Sequence, residues 1–253
     1  MTPSTRALDP TRRCVGEDEF DTHASHYEES LQQGLRLSGE GPEYFAQRRI
    51  LWTRKLLQQQ GEVIRQVLDF GCGVGLATSM LRNEIQPEFV WGYDPSLKTI
   101  ERAQRENSYA MTKFCSSAND LPIGDIDLVY CNGVFHHIEL SDRPTALDII
   151  YRSLRPGGWF ALWENNPWNL GTRYIMSHVP FDRDAIVLSP PSAKRMLRSA
   201  GFQVIRTDAW FLFPHCMCWL RPLERLVNRL PLGGQYLVLV QKPSTSLSEQ
   251  FVS

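Results

Sequence analysis

The most constraining stretch of the chain is Val67-Leu68-Asp69-Phe70 running directly into Gly71-Cys72-Gly73-Val74-Gly75. Four mostly apolar residues suit a short buried strand. The glycines that follow let the main chain turn sharply and approach a ligand with no Cβ between them. A strand, a glycine turn and an apolar-periodic segment over 76–82 make one βα unit, and units of this kind recur downstream.

Phe89-Val90-Trp91-Gly92-Tyr93 reads as a second strand ending at Asp94, with Leu97, Ile100 and Ala103 at helical spacing after it. Residues 112–115 form a weak third strand, and 126–131 a fourth with the continuous apolar run of a buried parallel strand. Leu147, Ile150 and Leu154 mark a helix over 144–154, stopped by Arg155-Pro156-Gly157-Gly158. A fifth strand is expected over 159–163, a helix from Ser189-Pro190 to Ser199 with Gly201 closing its end, and two last strands over 204–211 and 236–240. This alternation predicts a doubly wound α/β sheet, mostly parallel, with helices on both faces. Ligands of such sheets bind beyond the carboxyl ends of the strands, so the residues just after each strand are the ones to inspect.

The 253 residues suit one domain spanning 1–253, without a dividing linker or internal repeat. Polar flanks at 1–19 and 243–253 are expected to be flexible. The net charge of -1 offers no global attraction for nucleic acid. The six cysteines, Cys14, Cys72, Cys115, Cys131, Cys216 and Cys218, contain no CxxC pair. They read as reduced thiols, and His215-Cys216-Met217-Cys218 lacks a second cluster that would complete a metal site. With no secretory signal and no long apolar run, a cytoplasmic location is expected.

A glycine loop alone is weak evidence, since many nucleotide sites have one. The dinucleotide fingerprint would need glycine at position 76, where this chain has Leu76, so a nicotinamide or flavin site is disfavoured. Asp94 can accept hydrogen bonds from both hydroxyls of a ribose. Alone it reads equally as a strand-end carboxylate or a cap for the helix after Ser96.

Together these segments resemble the class I S-adenosylmethionine (SAM)-dependent methyltransferases, in the small-molecule type found in bacterial biosynthesis. Residues 67–75 resemble the family's first motif, Tyr93-Asp94-Pro95-Ser96 its second, residues 126–137 its fourth strand and following loop, and Leu154-Arg155-Pro156-Gly157-Gly158 its turn before the fifth strand. Phe20-Asp21-Thr22-His23-Ala24-Ser25-His26-Tyr27 is similar to an entry helix of small-molecule members, so residues 20–60 are expected to form an N-terminal helical lid. The resemblance implies a Rossmann-like seven-stranded sheet with an antiparallel last strand, and SAM as cofactor. Gly71, Cys72 and Gly73 would lie against the methionine moiety and ribose, and Asp69 would orient the amino group. Asp94 and Pro95 would meet the ribose, Ser117 and Ala118 would flank the adenine, Asn132 would offer its backbone, and Tyr27 would close over the cofactor. Many relatives carry an acid where Ser117 stands.

Methyl transfer from a sulfonium is largely a matter of alignment, although an oxygen nucleophile also calls for a base. His136, after the fourth strand, and Glu164, at the end of the fifth, are the candidates, each with a structural hydrogen-bonding role as its alternative. His137, Arg173 and Tyr174 are candidate substrate contacts. Residues 168–188 read as a cap over the acceptor. The apolar insertion over 212–234 carries Arg221, Arg225 and Arg229 at spacing four and reads as an amphipathic helix. It could pack on its own domain, form a homodimer, or meet a lipid-like acceptor or membrane surface through 212–230. The expected activity is methyl transfer from SAM to a small-molecule or lipid-linked acceptor. The alternative is a non-catalytic SAM-binding regulatory or accessory protein.

Overall fold

The computed structural model describes residues 39–178 and 186–244. Tyr27, the flanks 1–19 and 245–253, and the first part of the expected lid lie outside them.

Seven strands form one sheet in the order β3-β2-β1-β4-β5-β7-β6. They are β1 (Gln66–Phe70), β2 (Phe89–Tyr93), β3 (Thr112–Cys115), β4 (Ile126–Asn132), β5 (Leu154–Asn165), β6 (Gln203–Trp210) and β7 (Gln235–Gln241). Strands β1 to β5 pair in parallel, and β7 runs antiparallel between β5 and β6. The expected doubly wound sheet with its antiparallel last strand is thus present. The chain order reverses between β1 and β4, and this reversal opens the crevice where ligands of such sheets bind.

One face of the sheet is covered by α1 (Pro42–Gln59) and α2 (Leu76–Ile85). Ile50, Trp52, Leu56 and Leu57 of α1 pack with Leu81 on Val67, Leu128, Trp159 and Trp163. The other face is covered by α4 (Arg143–Ser153) and α6 (Pro190–Ser199), whose Leu147, Ile150, Ala193 and Leu197 pack on Leu68, Val129, Phe160 and Val238. Between α2 and α4, the helix α3 (Leu97–Glu106) seats Ile100 and Ala103 against Cys72 and Phe114. Residues 42–59 form a structural layer, because one apolar stripe of α1 is spent on the sheet.

The sequence reading placed β5 at 159–163, after a turn. The strand instead begins at Leu154, which pairs with Ile126, and the register slips before Leu128 pairs with Trp159. Pro156, Gly157 and Gly158 form an irregularity inside the strand, so the helix stops one residue earlier than expected. Ser189 caps α6 as predicted, its Oγ accepting from the Ser192 N–H.

Two connections depart from expectation. In the 168–188 segment a short helix, α5 (Leu170–His178), follows β5. The preceding Asn166 is fully buried and donates to the carbonyls of Pro231 (3.0 Å) and Gly233 (2.7 Å). Asn169 donates to Leu232 O, and Thr172 to Gly234 O. The Asn165-Asn166-Pro167-Trp168-Asn169 stretch thus stitches the end of β5 to the turn before β7. Asn166→Ala leaves two carbonyls unpaired, and a loss of about 1–3 kcal/mol in urea unfolding is expected.

The 212–234 insertion is not one amphipathic helix. It comprises a 3-10 segment (His215–Leu223) with a non-helical Met217, then a four-residue helix, α7 (Glu224–Val227). Pro222 lacks the N–H that a continuous helix needs. The segment docks on its own domain through Arg221, which reaches Glu40 at 2.7 Å and lies over the Tyr44 ring, and through Phe211 against Phe45. Glu224, also buried, accepts the Leu212 and Phe213 N–H groups.

Candidate functional site

The glycine loop leaves β1 with Gly71, Gly73 and Gly75 at φ of 75°, 53° and 89°. Tyr93 O at the end of β2 accepts the N–H groups of both Gly71 (2.7 Å) and Cys72 (2.9 Å). A Cβ on Gly71 would stand 2.3 Å from Val134, whereas a Cβ on Gly73 would meet nothing within 4 Å among the described residues. Gly71 is therefore needed for packing against the loop after β4, and Gly73 faces a space that no described residue fills.

Asp94, buried just past β2, accepts the Gly73 N–H on Oδ2 (3.1 Å) and the Ser96 N–H on Oδ1 (3.0 Å). The turn and the carboxylate that the sequence paired are in direct contact. Pro95 beside it is exposed, and Cys72 is buried with its thiol pushed well above the usual range by desolvation. At the end of α3, Asn107 donates to Val74 O (2.8 Å) and holds the far side of the loop.

Asp69 is buried on the face toward α1, where Thr78 of α2 donates to it at 2.6 Å. Desolvation dominates its titration, opposed by the Thr78 hydrogen bond and reinforced by the Asp94 charge, and raises the pKa to about 7. Thr78 was not anticipated, because a threonine one turn into a helix carries no motif of its own.

Strand alternation sorts the remaining candidates. Asp69 pairs with Tyr130 across β1 and β4, and Tyr130 and Trp163 belong to the core under α1. Asn132, two residues beyond Tyr130, shares that face, and its Oδ1 is buried with no hydrogen-bond partner among the described residues. Arg49 of α1 is buried beside them. Its Nε donates to the Tyr130 hydroxyl (3.3 Å) and its Nη1 to Gln235 Oε1 (2.7 Å), while Gln235 in turn donates to Asn165. Sequence reasoning missed Arg49, since it is one of several basic residues on a polar helix and only packing singles it out.

Glu164 turns to the opposite face. Its Oε2 lies 2.6 Å from His136 Nδ1 and its Oε1 accepts the Phe135 N–H (2.9 Å). Both side chains are almost inaccessible, at 1% and 3%. The two separate candidates for a base thus meet each other and the loop after β4, an arrangement that holds that loop in place. The adjoining His137 ring stacks 4.0 Å from His136. Burial, aided by the neighbouring His136, pulls the His137 pKa down to about 2, so it is neutral at ordinary pH. The segment leaving 186–188 closes over this face, with the Ile186 N–H on His136 O and the Tyr236 hydroxyl on Leu188 O.

Ser117 is exposed and caps a 3-10 turn (Ala118–Asp120) after β3, with Ala118 half-buried against the core. Arg173 and Tyr174 lie on the exposed side of α5, apart from the buried Thr172 and Met176.

Residues 68–162 match the protein family described as a methyltransferase domain. The fold resembles human N-acetylserotonin methyltransferase in complex with SAM (TM-score 0.62, 17% identity, 90% of this chain and 60% of that chain). It also resembles a SAM-dependent methyltransferase from Mesorhizobium loti (TM-score 0.53, 18% identity, 74% of this chain and 96% of that chain). Residues 68–162 are thus similar to a methyltransferase domain, and the sheet has the fold of those two structures. By sequence, the chain is similar to carboxy-S-adenosyl-L-methionine synthase of Hydrogenovibrio crunogenus, at 33% identity over 105 residues, 39% of this chain and 42% of that protein. The protein of the same name in Actinobacillus succinogenes is 35% identical over 106 residues, again 39% of this chain and 44% of its own length. The chain therefore aligns with less than half the length of these curated relatives. The family match over residues 68–162 takes in the glycine loop, the acid after β2 and the loop after β4, which are the parts that build the crevice.

Proposed function

We propose that the chain binds SAM in the crevice between β1 and β4 and transfers its methyl group to a small-molecule or lipid-linked acceptor. The observation that carries this reading is the contact between Asp94 and the Gly73 N–H beside a space that no described residue fills.

The residues present suit the cofactor. Asp94 would accept the two ribose hydroxyls, and Gly73 leaves room for the adjoining chain of atoms. Gly71, Cys72 and Pro95 complete that wall, and Ser117 and Ala118 border the adenine. Asp69 takes the amino group, and Arg49, buried on the same face, supplies a cation for the methionine carboxylate. Asn132 brings an unpaired buried oxygen to the same end of the sheet. When bound, SAM supplies an activated methyl on a sulfonium whose leaving group is a neutral sulfide. The chain's own task is to align the acceptor, which can contribute on the order of 7–11 kcal/mol. The curated relatives are named for a product that contains the S-adenosyl-L-methionine unit, which accords with a shared cofactor crevice.

Isothermal titration with SAM and with S-adenosylhomocysteine tests the reading, and no binding of either would end it. Incorporation of labelled methyl from SAM into an acceptor of a cell extract separates an enzyme from a SAM-binding regulatory protein, which would bind and transfer nothing.

A pH dependence follows from Asp69. Its ionised form suits a cationic ligand, so affinity for SAM is expected to fall as pH drops below about 7, by up to roughly tenfold per unit. In Asp69→Asn that slope disappears. Without ligand the sign reverses: the raised pKa means the folded state holds the proton more tightly. Asp69 therefore costs stability progressively as pH rises from the ordinary carboxylate range to about 7.

A further inference from the structure

We propose that residues 215–232, together with 168–174, form a docking face for anionic lipid bilayers, from which the protein draws its methyl acceptor. The docking stands on this face alone; the origin of the acceptor rests on the methyl-transfer reading above.

Trp219 (73%), Leu226 (79%) and Leu170 (77%) are largely exposed, and Trp168, Leu230 and Leu232 are about half exposed. The two stretches are joined side by side through Asn166 to Pro231 and Gly233 and through Asn169 to Leu232. These side chains are presented from a fixed support. Arg221 is tied to Glu40 and stacked on Tyr44, Phe211 rests on Phe45, and Glu224 holds the Leu212 and Phe213 N–H groups. Large apolar residues held outward on a rigid support mark an interaction surface.

Charge selects the occupant. Residues 165–178 and 211–234 contain four arginines, Arg173, Arg221, Arg225 and Arg229, and a single acid, Glu224. That acid is buried, while Arg173, Arg225 and Arg229 are exposed. Arg221 pairs with Glu40 and Arg229 lies 3.5 Å from the buried Asp208, so Arg173 and Arg225 carry the positive charge of this face. Arginines beside exposed apolar side chains, on a chain of net charge -1, are complementary to an anionic headgroup layer. Tryptophan and leucine beside arginine is the composition of segments that lie in the membrane interface. No helix among the described residues is long and apolar enough to cross a bilayer, so the attachment is at the surface. A second copy fits less well, since a self-complementary interface would bury Arg173 and Arg225 without an exposed acid in the two stretches to pair them. The face adjoins the carboxyl end of β5, beside the crevice, because Gln235 links the turn before β7 to Asn165 and Arg49.

The test is co-sedimentation of the full chain with vesicles of phosphatidylcholine, with and without about one third phosphatidylglycerol. Pelleting is expected with the anionic vesicles, weakening as salt rises. Arg225→Gln should reduce partition roughly fivefold, and Trp219→Glu with Leu226→Glu should abolish it with an unchanged melting curve, as both side chains are outside the core. Absence of pelleting, or pelleting that survives the double substitution, overturns the proposal. So does a concentration-dependent dimer in sedimentation velocity that the double substitution breaks without any vesicle binding. SAM titration without vesicles reads the crevice independently, so the two failures are distinguishable.

Discussion

Asp94→Ala is expected to weaken SAM binding in isothermal titration by roughly tenfold to a hundredfold, the equivalent of one or more charge-assisted hydrogen bonds at about 1.5–3 kcal/mol each. Two effects combine. The substitution removes the acceptor for the ribose, and it also releases the Gly73 and Ser96 N–H groups that hold the loop and the start of α3 in register. Asp94→Asn keeps one carbonyl acceptor and should fall between the parent and the alanine variant. Unchanged affinity in Asp94→Ala would refute the ribose assignment, whatever the chain binds elsewhere.

Glu164→Ala is expected to cost about 3–5 kcal/mol of stability, as when one partner of a buried pair is removed, and to lower the melting temperature by about 10 °C. The Phe135 N–H and His136 Nδ1 would both lose their partner in a region without water access. Glu164→Gln retains an acceptor for Phe135 and an amide that can meet the imidazole ring nitrogen, so most of the stability should return. The same pair of variants decides the role. A group that only holds the loop after β4 leaves methyl transfer in Glu164→Gln near the parent level. A base at this position would instead lose turnover while keeping its fold.

How much of this could be read from the chain depended on where the information resides. The βα units, the glycine loop and the acid after β2 were legible because each is local. Apolar runs, glycines and strand-end carboxylates report themselves within a few residues. Tertiary partners were not. Arg49 and Thr78 lie on helices whose periodicity says only which face is buried, and neither is marked out until α1 and α2 are packed on the sheet. His136 and Glu164 were each singled out as residues that follow a strand, and the structure sets them 2.6 Å apart. Their burial was invisible, since it depends on the segment returning through Ile186 and Leu188. The insertion was misread because arginines at spacing four satisfy a helical template while Pro222 forbids it. The stitching role of the Asn-Asn-Pro-Trp-Asn stretch was equally hidden, because the carbonyls that Asn166 and Asn169 meet lie more than sixty residues away.

The alternation along β5 has a consequence for altering the protein. Neighbouring positions 163, 164 and 165 answer to different layers: Trp163 and Asn165 to the helix bearing Arg49, Glu164 to the loop that carries His136. Redesign of one layer by point substitution can therefore proceed while the other keeps its partners. Loss or gain of a single residue in this strand would exchange the two sets wholesale, sending a carboxylate beneath an indole's former neighbours and an indole into the histidine's berth.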